Sequence, residues 1–147
     1  MTNPTSRFVY VTYIRTTPEL LWAALTDAER NKLYWLGAWQ RSDWTEGADW
    51  AIVRGNGELA DSGQILEIEK PRRIVIRWLN HMRPELEAEG FARCVIEIEQ
   101  VEGAVKLTVD HSIEVADSQL IQAVSGGWPK ILSNLKSLLE TGEVLLS

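Results

Sequence analysis

The sequence predicts an α+β fold, a curved antiparallel sheet of about seven strands wrapped around a long C-terminal helix, with two short helices between strands 1 and 2. Three observations lead there. Turn signals divide residues 38–115 into short alternating segments, the pattern of an antiparallel meander. Leu120, Ile121, Val124, Trp128, Ile131, Leu132, Leu135, Leu138 and Leu139 form one apolar stripe whose helical phase never slips. Two helix-capping signals stand between the first strand and the meander.

FVYVTYI, residues 8–14, is rich in β-branched and aromatic side chains and reads as the first strand. Thr17 then supplies an N-cap, Pro18 suits the first turn, and Leu21, Trp22 and Leu25 give an apolar face, predicting a helix over 18–26. Thr26 and Glu29 have the spacing of a capping box, so a second short helix is expected through Leu33 and Trp35, ending at Gly37. Strands are expected at 39–44, 48–54, 63–69, 74–79, 91–100 and 105–115, separated by turns at TEG, GNG, KPRR and VEG. In the long connection NHMRPELEAEG, residues 80–90, PELEAE has the composition of a single helical turn.

The C-terminal stretch SGGWPKILSNLKSLLETG sets helix breakers against a strong helix-forming run. Two separate helices would have no reason to share one stripe across the break. One helix, kinked or pinched near Pro129 and ended by Gly142, is expected, with Gly126 and Gly127 leaving room for the bend or for something that approaches closely.

At 147 residues the chain has the size of one domain, 1–147, with no need of metal, nucleotide or disulfide to build its core. A net charge of −6 with scattered basic residues argues against nucleic acid as a partner. The single cysteine, Cys94, excludes an intrachain disulfide, and the opening MTNPTSRFVYV lacks the blocks of a signal peptide, so a reducing cytoplasm is expected. No apolar run approaches the ~18 residues of a membrane span.

TTPELLWAALTDAE at the first helix, YWLG after the second, SDW-TEG-ADW at the first hairpin, GQILEIEKPRRIVIRW across two strands, and GGWPKILSNLKSLLETG together resemble the START-like (SRPBCC) superfamily, and within it the family of the activator of heat-shock protein 90 ATPase. The resemblance covers nearly the whole chain and implies the helix-grip fold. It also implies a cavity between sheet and long helix that in the superfamily holds lipids, steroids, polyketides or other apolar molecules. Some superfamily members are cyclases or hydrolases, and the eponymous family member is a co-chaperone.

Strand parity places His111 on the apolar face of its strand with Val105, Leu107, Val109, Ile113 and Val115. A histidine there is a core residue, or a polar handle inside a cavity, and in either case neutral at pH 7. Ile74, Ile76 and Trp78 share one face, as do Trp50 and Ile52. If these faces are concave, Trp50, Trp78 and Trp128 converge with His111 beneath the long helix, with Trp35 near the entrance and His81, solvated, at the rim. Each tryptophan alone is as well explained by core packing; their joint occurrence with an inward histidine points to ligand binding. Glu97 and Glu99 face solvent. No HExxH, CxxC or GxSxG pattern occurs, Ser125 has no elbow around it, and GNG fits no phosphate loop, so neither metal, cofactor nor catalytic residue is expected.

The expected function is therefore a non-enzymatic START-like protein enclosing a small hydrophobic or amphipathic molecule against Trp35, Trp50, Trp78, His81, His111 and Trp128. The alternatives are a co-chaperone-like domain that binds a chaperone or other protein, and a polyketide cyclase-like enzyme, which would need a polar pair in the cavity. A monomer or a homodimer is compatible with the sequence. A closed cavity of several hundred Å³ would favour the ligand, and a filled core with an exposed apolar patch would favour a protein partner.

Overall fold

The computed structural model describes residues 4–147. Strand β1 (Ser6–Ile14) leads through Thr17 into α1 (Pro18–Thr26). Thr17 Oγ1 accepts from the Leu20 amide at 3.2 Å, which satisfies one of the donors a helix start leaves free. Helix α2 (Ala28–Tyr34) follows after one residue. Its cap is Asp27, whose Oδ1 accepts from the Glu29 amide at 3.2 Å, and not the expected Thr26. Thr26 is still the last residue of α1, so its hydroxyl donates back to the Trp22 carbonyl at 2.9 Å and is unavailable as a cap. The helix also stops at Tyr34, before Gly37, because Leu36 already adopts a positive φ of 53°.

The elbow between α1 and α2 is locked by buried polar groups. Carbonyls in the last turn of a helix have no partner inside it. Asn31 Nδ2 and Tyr34 Oη both donate to the Ala24 carbonyl at 2.8 Å, and Gln40 Nε2 donates to that of Leu25 at 3.0 Å. Asn31 Oδ1 in turn accepts from the Gln40 amide at 2.9 Å, which ties the elbow to the next strand.

Six further strands follow: β2 (Trp39–Ser42), β3 (Asp49–Val53), β4 (Leu59–Glu69), β5 (Arg73–Asn80), β6 (Ala92–Val101) and β7 (Ala104–Ile113), with the single-turn α3 (Pro84–Glu87) between β5 and β6. All pairings are antiparallel in the order β1-β7-β6-β5-β4-β3-β2, so β1 and β2 are the edges. Strand β4 begins four residues earlier than expected, at Leu59. Its first half, LADS, is too small and polar to read as a strand, yet it pairs with both β3 and β5. Gly63 makes that pairing possible: a Cβ there would lie 1.5 Å from the Arg77 carbonyl oxygen of β5.

Helix α4 (Gln119–Thr141) runs without interruption through Pro129, burying Leu120, Ile121, Trp128, Leu132 and Leu135 in the core and Asn134 against the Tyr34 carbonyl and the C-terminal tail. Ser118 caps its start, accepting from the Ile121 amide at 3.1 Å, and Gly142, at φ 86°, ends it. Gly126 and Gly127 do not answer to crowding by the protein, since an added Cβ at either would meet nothing within 4 Å. The fold is the α+β helix-grip arrangement: one face of a seven-stranded sheet closed over by a long terminal helix.

Candidate functional site

The alternation of β7 sends Val105, Leu107, Val109, His111 and Ile113 to the inner face of the sheet. In β5 the same rule puts Ile74, Ile76 and Trp78 there, and Trp50 and Ile52 join them from β3. Trp128 comes down from α4 and Trp35 from the end of α2. The result is a continuous aromatic cluster. Ring centres are 4.5 Å apart for Trp50 and Trp78, 4.8 Å for Trp78 and His111, 5.8 Å for Trp78 and Trp128, and 5.5 Å for Trp35 and Trp128. The last two are edge-to-face, the geometry favoured by the ring quadrupoles.

Each of the three innermost indoles donates to its own acceptor. Trp50 Nε1 donates to Gln40 Oε1 at 2.9 Å, Trp78 Nε1 to Asp61 Oδ1 at 2.8 Å, and Trp128 Nε1 to His111 Nδ1 at 3.1 Å. The last bond fixes the state of the imidazole. To accept, Nδ1 must be unprotonated, so the neutral ring carries its proton on Nε2, which has no partner. Burial pushes the His111 pKa down to about 4, in keeping with the expected neutral ring.

Between α4 and the inner ends of β3, β4 and β5 lies an open cleft of about 210 Å³, neither closed nor of the several hundred Å³ that would favour an enclosed ligand. Its walls are Trp35, Trp78 and Trp128 with Ile52, Leu120 and Ile131; Gly127 leaves its helix side open, and Asp61 and Asn80 are its polar lining. Trp50 and His111 do not reach the cleft surface. They touch Trp78 from within the core.

His81 is not brought to this cleft. It pairs Nδ1 with Glu87 Oε2 at 2.8 Å and Nε2 with Ser62 Oγ at 2.6 Å, so it is a bonded, partly buried ring and not the solvated rim residue expected. The reason is parity: Trp78 and Asn80 face inward, so the residue after Asn80 turns away.

Asp61 and Asn80 were not among the candidates from sequence. Asp61 pairs with Asn80 across β4 and β5, and Asn80 Nδ2 donates to Asp61 Oδ1 at 3.0 Å. The available signal was that Asn80 stands two residues beyond Trp78 and so shares its face. Burial raises the Asp61 pKa to about 6, against the opposing pull of the Trp78 and Asn80 hydrogen bonds and of nearby His81. Among the described residues no cluster of three or more His, Cys, Asp or Glu side chains has metal-binding geometry, and no helix is long and apolar enough to cross a membrane.

Comparison with known proteins places this architecture. A family model described as Activator of Hsp90 ATPase homolog 1-like protein matches residues 15–140. Among solved structures, protein MLL2253 from Mesorhizobium loti is 21% identical with a TM-score of 0.77, covering 91% of this chain and 96% of its own. PFC0360w, an HSP90 activator from Plasmodium falciparum, is 23% identical with a TM-score of 0.72, covering 90% and 95%. The Aha1 dimer from Colwellia psychrerythraea is 19% identical with a TM-score of 0.68, covering 97% and 98%. Comparison with curated proteins returns no match. With the matched model spanning both helices of the elbow, six of the strands and nearly all of α4, the chain belongs to the Activator of Hsp90 ATPase homolog 1-like family.

Proposed function

We propose that the protein binds a small apolar or amphipathic molecule in the cleft under α4, with Trp35, Trp78 and Trp128 as its walls and Trp50 and His111 holding those walls in place. One observation carries this reading. Gly127 sits in mid-helix, where glycine costs about 1 kcal/mol relative to alanine, yet no turn, no positive φ and no neighbouring protein atom requires it. The space it preserves is the mouth of an aromatic-walled cleft. The size of the cleft narrows the class. At about 210 Å³ it matches roughly seven water molecules at ~30 Å³ each, so it suits a small molecule or the end group of a larger one and not an enclosed lipid or steroid. The lone thiol, Cys94, is fully buried, and the reading takes the protein to act in the cytoplasm.

The test is Gly127→Leu, which fills the mouth while improving helix propensity. Native mass spectrometry of the purified protein identifies small-molecule adducts, and tryptophan fluorescence follows their rebinding. Adducts and quenching present in the parent and absent in a stably folded Gly127→Leu support the proposal. Equal binding by both proteins sinks it.

A co-chaperone-like role has its own observation: Leu33 and Leu36 are about 60% exposed at and just after the end of α2, and Leu20 of α1 is exposed as well. The family's name and the Plasmodium falciparum neighbour suggest an Hsp90-type ATPase as that partner. Stimulation of such an ATPase, lost in a Leu33→Ser, Leu36→Ser double variant, is its test; no stimulation at saturating protein removes it. A cyclase-like reaction calls for an acid and a base together. Asp61 is the one titratable side chain lining the cleft among the described residues, which does not support that reading.

A further inference from the structure

Asp61 is a carboxylate in the cleft wall to which, among the described residues, no lysine, arginine or histidine is bonded as a counter-ion. Oδ1 accepts from two neutral donors, Trp78 Nε1 and Asn80 Nδ2, at 2.8 and 3.0 Å, and no described residue donates to Oδ2. Among the described residues no lysine or arginine pairs with Asp61. The nearby imidazole of His81 has both ring nitrogens engaged by Glu87 and Ser62, and Lys136 of α4 is held by Glu140. Leaving a largely buried acid with neutral partners alone is costly, and a charged partner relieves that cost in a way that a neutral one cannot.

The rest of the cleft is suited to a cation of modest size. The indoles of Trp35, Trp78 and Trp128 surround the space next to the acid, and aromatic faces attract ammonium groups once water is excluded. A net charge of −6 raises the local concentration of cations around the molecule. Ile52, Leu120 and Ile131 leave the remaining surface for the carbon skeleton.

We propose that the ligand of this cleft is an amine, an alkyl- or arylalkylammonium whose charged head pairs with Asp61 while its apolar part lies among the three indoles. This deepens the reading of the cleft as a small-molecule site and rests on it.

The decisive comparison uses benzylamine and benzyl alcohol, which have nearly the same shape and differ in charge. Binding is followed at pH 7.5 through the indole N–H resonances in NMR spectra, where Trp78 and Trp128 report directly on the cleft. Wild-type protein should favour benzylamine by at least about tenfold, the margin of a charge-assisted over a neutral hydrogen bond. Asp61→Asn keeps the shape and an acceptor for Trp78 but removes the charge, and it should bring the two affinities level by weakening benzylamine alone.

Equal affinities in the wild type overturn the amine assignment and leave the apolar cleft standing. A preference for benzylamine that survives in Asp61→Asn overturns Asp61 as its anchor. If neither probe shifts the indole signals at millimolar concentration, both the assignment and the ligand-site reading fall. The wild-type comparison alone decides the amine question should Asp61→Asn fail to fold.

Discussion

Acidification should destabilise this protein through one identifiable ring. In the unfolded chain His111 takes up a proton near 6.5; in the fold burial holds its pKa to about 4. Between those two values the unfolded state binds the proton and the folded state does not, so the stabilisation is complete above pH 6.5 and drains away as pH falls toward 4. At 1.36 kcal/mol per tenfold, the loss is worth about 3 kcal/mol. Asp61 works against it. Its folded pKa of about 6 lies above the ordinary carboxyl value of 3.8, so ionisation destabilises the fold as pH rises from 3.8 to 6, again by about 3 kcal/mol. The two slopes oppose one another in the parent protein and separate only in variants.

His111→Asn keeps an acceptor at the Nδ1 position for Trp128 and removes the titration. Urea unfolding of both proteins at half-unit steps from pH 4 to 7.5 should give a stability difference that changes by about 3 kcal/mol in favour of the parent toward neutral pH. Asp61→Asn should give a difference curve of the opposite slope. A flat His111→Asn curve, or an imidazole titrating near 6.5 by NMR in the native protein, would refute the buried neutral ring.

Trp128→Ala should cost about 3–5 kcal/mol, as large-to-small changes in cores do, because its ring is packed on Trp35, Trp78 and His111; its denaturant midpoint measures this, and a loss under 1 kcal/mol would show that the ring is not structural. Gly127→Ala should instead raise stability by about 0.5–1 kcal/mol, since a methyl group there meets no neighbour, and a lower thermal midpoint would contradict that. Gly63→Ala should be among the most damaging single-carbon changes available: the added Cβ strikes a backbone oxygen of β5, so the sheet must shift and a loss of at least about 3 kcal/mol is expected by chemical denaturation.

The long helix and α1 were legible because their information is local. Thr17, Pro18 and the Leu21 and Leu25 stripe specify α1 to its ends, and the stripe from Leu120 to Leu139 carried α4 through Pro129. The inward aim of His111 followed from strand parity alone. The first half of β4 did not follow, because Asp61 and Ser62 break the apolar alternation that marks a strand. That failure also hid the site's charge: Asp61 faces inward only by pairing with Asn80, and such pairing depends on register between strands. Hydrophobic pattern finds walls of cavities more readily than the polar groups set into them. The cap of α2 was misplaced for a related reason, since Thr26 and Asp27 are both good caps and only the end of α1 chooses between them.

The spacing of the indole rings gives the molecule an optical identity. Trp50 and Trp78, with centres 4.5 Å apart and planes inclined at 48°, are close enough for their electronic transitions to couple. Transitions shared between tilted chromophores rotate light in paired bands of opposite sign, superimposed on the backbone spectrum in the far ultraviolet. Circular dichroism of this protein should therefore carry a signed couplet that reports the mutual angle of two side chains. Its collapse would reveal loosening of the sheet's inner face before any strand is lost, and an occupant that tilts Trp78 would reshape it without needing a dye or a label.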